Sequence, residues 1–220
     1  MTLEPESAGR VPPDMEAQTR RADVAAEDGE RAIVYRLLAT ALEAPVGRDW
    51  LEVVGALPVV EGPLGAALKQ LSAEARAADP QALRSDYHDL FIGVGRGELV
   101  PYASYYLTGF LNEKPLALLR QEMRRLGIER SPEVSEPEDH IAALCEMMAG
   151  LVEGAYGDGE PATASTFFRA HVAAWAPYFF KDLAGTSTSA LYAALGQLGK
   201  VFIDLEDEAD RLFSQQRQAG

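Results

Sequence analysis

Leu191-Tyr-Ala-Ala-Leu195-Gly-Gln-Leu198-Gly-Lys-Val-Phe202-Ile-Asp-Leu205-Glu-Asp-Glu-Ala209-Asp-Arg-Leu212 is the stretch on which the fold class turns. Its apolar residues recur at alternating steps of four and three, the period of one helix face. Asp204, Glu206, Asp207, Glu208 and Asp210 fill the positions between, which predicts a solvated outer face. Tyr192 and Val201 widen the apolar side beyond a narrow coiled-coil seam, so the spacing predicts a domain helix.

The same period returns towards the N-terminus. Thr163–Trp175 reads as a helix, and Pro177 restarts the chain. Ile141, Leu144, Met148, Leu151 and Ala155 form another stripe, broken by Gly157–Pro161. Pro115–Leu126 carries Leu116, Leu119, Met123 and Leu126 on one face, with Gly127 placed as a C-cap. Pro101–Phe110 mixes aromatic and small residues and starts a further helix. Asp79-Pro80 opens a helix through Leu83, Tyr87, Leu90 and Phe91, closed by the glycine loop Gly93-Val-Gly95-Arg-Gly97. That loop lacks the Gly-Lys-Ser/Thr ending of a phosphate-binding loop. Helices are expected also over Pro63–Ala77 and Asp49–Leu57. Ile33, Val34, Leu37, Leu38, Ala41 and Leu42 predict a buried helix face ending at Pro45-Val-Gly47. No segment alternates as a strand does, so the class is all-α, a single-domain helical bundle.

Before that domain stand Glu4, Glu6, Asp14, Glu16, Asp23, Glu27 and Asp28, with few large apolar groups. Residues 1–28 are therefore expected to be an acidic, disordered tail, and residues 29–220 the helical domain. Thr19-Arg20-Arg21 is followed by an acidic run rather than the apolar stretch of an export leader. No run of about 18 apolar residues occurs, so stable membrane insertion is not expected. The net charge of −14 opposes contact with nucleic acid and suits a cationic peptide partner. The single cysteine, Cys145, permits no internal disulfide and fits a reducing, cytoplasmic setting.

The chemistry-bearing residues fall into two groups. Glu136-Pro137-Glu138-Asp139-His140 reads as a helix start, with Ser135 as N-cap and Glu138 completing a capping box. Pro101-Tyr102-Ala-Ser104-Tyr105-Tyr106 gathers aromatic rings around a proline. Rings offer large apolar contacts at low entropy cost, and carboxylates such as Glu136 and Asp139 can pair with a peptide's arginines. His140 is expected to orient Asp139 or the loop, and its charge to make binding respond to pH near its ordinary value of about 6.5. The alternative is a small metal-dependent or His/Asp hydrolytic enzyme centred on Asp139 and His140. No histidine pair stands at metal-ligand spacing, and no nucleophile elbow surrounds Ser104, so no catalytic or metal residue is assigned.

These elements, taken in order, are Tyr87-x-x-Leu90-Phe91, Pro101-Tyr102-x-Ser104, Glu136-Pro137-x-Asp139-His140 and Phe168-x-x-His171-x-x-x-Trp175-x-x-x-Phe179. In that order and spacing the chain resembles the TorD/DmsD-type redox-enzyme maturation chaperones, which include NarJ-like proteins. The resemblance runs from about residue 30 to residue 212. It implies a cytoplasmic helical chaperone without catalysis or cofactor of its own. It also implies a molybdopterin oxidoreductase catalytic subunit as partner, bound through its twin-arginine leader, its body, or both, and assisted in cofactor insertion before export. The peptide-binding residues then expected are Pro101, Tyr102, Ser104, Tyr105, Tyr106, Glu136, Asp139 and His140. The resemblance further implies a monomer or a helix-exchanged dimer, the exchange running through the connector before Glu136.

Overall fold

Two long helices frame the chain. In the computed structural model, which describes residues 13–131, 133 and 135–219, α1 spans Pro13–Glu43 and α10 spans Ala190–Ala219. Between them lie α2 (Arg48–Gly55), α3 (Gly62–Ala77), α4 (Pro80–Tyr87), α5 (Ala103–Thr108), α6 (Lys114–Leu126), α7 (Ile141–Val152), α8 (Pro161–His171) and α9 (Ala176–Ala184). No strand occurs among the described residues, and the all-α expectation holds. Among them no helix is long and apolar enough to cross a membrane.

The core forms around α7. Nine of its residues are buried, from Ile141 to Leu151, and it is held mainly between α1 and α8. On the other side α10 packs on α9 and α3. A Cβ on Gly196 would stand 2.3 Å from the backbone nitrogen of Ala184, so glycine is what lets α10 approach α9 that closely. Trp175, Tyr35, Phe167, Phe179 and Phe180 are fully buried in this core. Burying each contributes roughly 2–3 kcal/mol.

Several local signals act as expected. Asp79 caps α4 by accepting the Gln81 N–H at 3.1 Å. Gly127 ends α6 in the left-handed region at φ 71°, and the Ile128 N–H returns to the Met123 carbonyl at 2.9 Å. The helix expected to continue through Phe91 instead widens into a π-helical turn over His88–Ile92, closed by the Gly93 N–H on the His88 carbonyl at 2.7 Å.

Other expectations are corrected. α1 begins at Pro13, so the boundary expected at residues 28–29 falls inside a continuous helix. Ten of residues 13–28 are Ala, Glu, Arg, Gln or Met, good helix formers, and the buried half of α1 gives their helix a nucleus to extend from. The remainder of the expected tail, residues 1–12, lies outside the described residues. Ile33 is 61% exposed, while Val34, Leu38, Ala41 and Leu42 are buried as expected, together with Ala32, Tyr35 and Ala39. On α10 Glu206 is buried, whereas Leu205 and Leu212 are exposed. The Glu206 carboxylate accepts from Arg31 Nε at 2.8 Å and from the Tyr35 hydroxyl at 2.9 Å.

Candidate functional site

The two chemistry-bearing segments meet through their backbones. The Pro101 carbonyl accepts from the Ile141 N–H at 2.9 Å, and the Ala103 N–H donates to the Asp139 carbonyl at 3.0 Å. Tyr102 and His140 thereby form an isolated antiparallel pair. The Asp139 carboxylate accepts the Ser104 N–H at 2.8 Å. Asp139 thus satisfies two free N–H groups at the start of α5 from a different part of the chain. Pro101, Ser104 and Asp139 are all buried.

The capping box does not form. Residues 139–141 spend their backbone groups on residues 101–103, and the His140 N–H closes a turn on the Pro137 carbonyl at 3.1 Å. The helix can start only at Ile141, with His140 in extended conformation as its N-cap. His140 Nδ1 accepts the Ala142 N–H at 3.2 Å, so the imidazole is needed neutral at that atom. Burial pushes its pKa down to about 4, against the opposing pull of Glu136 and Asp139. The expected titration near 6.5 is corrected accordingly. Glu138, freed from capping, accepts from Arg120 Nε at 2.9 Å and Nη2 at 2.7 Å, with Arg130 4.0 Å away.

The tyrosines separate. The Tyr102 ring lies edge-on to His140, with centroids 5.0 Å apart, and its hydroxyl donates to the exposed Glu136 carboxylate. Desolvation first, then that carboxylate, pushes the Tyr102 phenol up, so it stays a donor. Tyr105 takes a hydrogen bond from Arg96 at 2.9 Å. Tyr106 packs on Trp175 and Phe179 and donates to Asp182 at 3.0 Å. Tyr106 therefore belongs to the α5–α9 packing, and only Tyr102 stays with Glu136 and His140.

Beside this clasp lies a cleft of ≈ 230 Å³. Met123, Ile128, Ala142, Ala143 and Met147 give it an apolar floor, and five carboxylates, Glu43, Glu129, Glu136, Glu138 and Glu146, stand around it with one cation, Arg130. Glu43 is the last residue of α1, and the Tyr87 hydroxyl fixes that helix end by donating to the Leu42 and Glu43 carbonyls at 3.1 and 2.9 Å. Desolvation holds the Glu146 carboxyl above its ordinary range, Glu43 and Glu153 add to this, and Arg36 opposes it.

Residues 58–181, more than half of the chain, match the family described as nitrate reductase delta subunit. The chaperone protein TorD of Aliivibrio fischeri is 27% identical over 206 residues, 84% of this chain and 96% of that protein. TorD of Vibrio cholerae is 30% identical over 142 residues, 60% of this chain and 64% of that protein. In fold, the chain is similar to a crystal structure of a redox enzyme maturation protein from Archaeoglobus fulgidus. The TM-score is 0.55 at 20% identity, covering 79% of this chain and 93% of that one. The chain belongs to the TorD/NarJ family of redox-enzyme maturation chaperones.

Membership in this chaperone family sets aside the hydrolytic alternative, and the geometry agrees. The Asp139 carboxylate serves the Ser104 N–H and His140 serves Ala142, so no Asp–His dyad forms. The Ser104 hydroxyl is buried. Among the described residues no group of three His, Cys, Asp or Glu could hold a metal ion. Cys145 is buried, which pushes its thiol up and leaves it inert.

Sequence reasoning overlooked Glu43 and Glu146 in this chaperone, although each carries a signal. Glu146 is the only charged residue in Ile141–Val152. Glu43 puts a negative charge at the C-terminal end of α1, where the helix dipole disfavours it.

Proposed function

We propose that this maturation chaperone works in the cytoplasm on a molybdopterin-containing oxidoreductase, seating the client's twin-arginine leader in the cleft between α1, α6 and α7. It holds the client until cofactor insertion is complete and export can proceed. The observation that carries the reading is the pairing of an apolar floor with a carboxylate rim in one cleft. A leader of this kind has two arginines followed by an apolar run, and each half finds its complement there. Removing the apolar run from water supplies the larger, non-directional part of the affinity. The carboxylates orient the segment and speed its encounter. Asp139 acts from behind: it locks the Pro101–Ser104 segment to the turn that presents Glu136 and His140.

Fluorescence anisotropy with a labelled twin-arginine leader from a molybdopterin oxidoreductase tests this. Saturable one-to-one binding is expected, with little binding of a peptide of the same composition in scrambled order. Equal affinity for the two peptides would reduce the cleft to a general apolar surface and sink the reading.

A further inference from the structure

Several carboxylates on or beside α7 and α10 are already paired with an arginine. Glu138 is held by Arg120, Glu153 by Arg36 and Glu206 by Arg31. Glu43 and Glu146, on the α1–α7 side of the cleft, have no ion-pair partner among the described residues. The two helices pack extensively on each other, so the two side chains line the same wall. Glu43 also sits at the negative end of the α1 dipole, and Tyr87 keeps that end in place. Both residues break a local rule, an acid at a helix C-terminus and a lone charge on an apolar helix. Such breaches gather at functional sites. Asp139, the carboxylate favoured by the sequence, is 1% exposed and already bound to Ser104, so an incoming cation cannot reach it.

We propose that Glu43 and Glu146 are the seat of the paired guanidinium groups of the client leader, with the apolar run lying over Met123, Ile128 and Met147. The inference rests on the reading of this cleft as the leader site and adds to it the residues that read the arginines. Carboxylates that accept two parallel N–H bonds from a planar guanidinium discriminate arginine from lysine, which offers only a compact point charge. The seat therefore recognises arginine and not merely positive charge.

The test is a set of anisotropy titrations with three synthetic peptides, identical except that the adjacent pair before the apolar run is Arg-Arg, Lys-Lys or Gln-Gln. The proteins are the parent chain and its Glu43→Gln/Glu146→Gln variant. Circular dichroism and the urea midpoint establish that the variant is folded. The parent should prefer Arg-Arg over Lys-Lys and Gln-Gln. The double substitution should weaken Arg-Arg binding by about tenfold or more. It should leave Gln-Gln binding nearly unchanged and erase the Arg-Arg preference. If the parent binds Arg-Arg and the folded variant binds it equally well, the seat lies elsewhere and only the broader leader reading survives. Weakening of all three peptides alike would likewise overturn the seat. If the parent does not bind Arg-Arg at all, the leader reading falls and this inference with it. Sedimentation of both proteins at rising concentration covers the rival occupant. A parent that self-associates through its own Arg20-Arg21, and a variant that does not, would give the cleft to a second copy and overturn the proposal.

Discussion

At the scale of single residues, the motif of Glu136 to His140 does structural work that its composition conceals. Acid, proline and imidazole in one run predict an exposed, well-capped helix start. Asp139 instead turns inward onto the Ser104 N–H, and His140 takes over the capping of α7. The difference arises because the partner backbone, residues 101–103, lies far away in sequence, and local spacing carries no information about it. A capping imidazole must be neutral at Nδ1, and burial keeps it so by lowering its pKa to about 4. The unfolded chain, with a value of about 6.5, binds a proton that the folded chain refuses. Stability from this group is therefore complete above about pH 6.5 and is lost as the pH falls towards 4. At about pH 5 the loss should be about 2 kcal/mol. His140→Asn keeps a capping acceptor without the titration. Urea midpoints of parent and variant, compared at about pH 7 and about pH 5, should show the steeper fall in the parent. Parallel falls would mean that the imidazole titrates at its ordinary value in the folded chain.

At the scale of the elements, α10 shows what periodicity reveals and where it slips. The steps of four and three from Leu191 to Phe202 locate the buried face correctly, and all four residues are buried. Continued strictly, that seven-residue repeat selects Leu205, Ala209 and Leu212. A straight helix drifts about 20° per heptad against it. By the last turns the inward positions are Glu206 and, with its carboxylate on Ser165 and Arg169, Asp210. The acid is tolerated inside because α1 supplies Arg31 and the Tyr35 hydroxyl, partners that the sequence of α10 cannot announce. Existence and class of the helices were thus legible, since each needs only its own residues. Polar groups buried between helices were not. Glu206→Ala strands Arg31 and Tyr35 and should cost about 2 kcal/mol in thermal or urea unfolding. Leu205→Ala and Leu212→Ala, on exposed positions, should each cost under about 1 kcal/mol. The reverse order would restore the strict heptad as the packing face.

At the scale of the whole molecule, the charge of −14 acquires a direction. Glu206 and Glu153 are spent on Arg31 and Arg36, while Glu43 and Glu146, beside the apolar floor of the cleft, have no ion-pair partner among the described residues. The sequence made the two motif segments visible and the fold joins them. The cleft itself needed Glu43 from α1, Met123 from α6 and Glu146 from α7, which no linear spacing relates. This arrangement separates the two parts of the binding energy by their response to salt. If the cleft seats a cationic leader as proposed, the field around it acts while the leader is still approaching, over about 8 Å at physiological ionic strength. The apolar contact acts only after docking, when water has left the floor. Raising the salt should therefore slow association of a twin-arginine leader several-fold and change its dissociation little. Glu43→Gln/Glu146→Gln should flatten the salt dependence of association, and Met123→Ala or Met147→Ala should speed dissociation while leaving the association slope intact. Stopped-flow fluorescence over a salt series measures both rates. If salt acted chiefly on dissociation, the docked arginines would be held by ion pairs still open to screening. The carboxylates would then hold the docked arginines without steering their approach, and the expected salt dependence of association would fail.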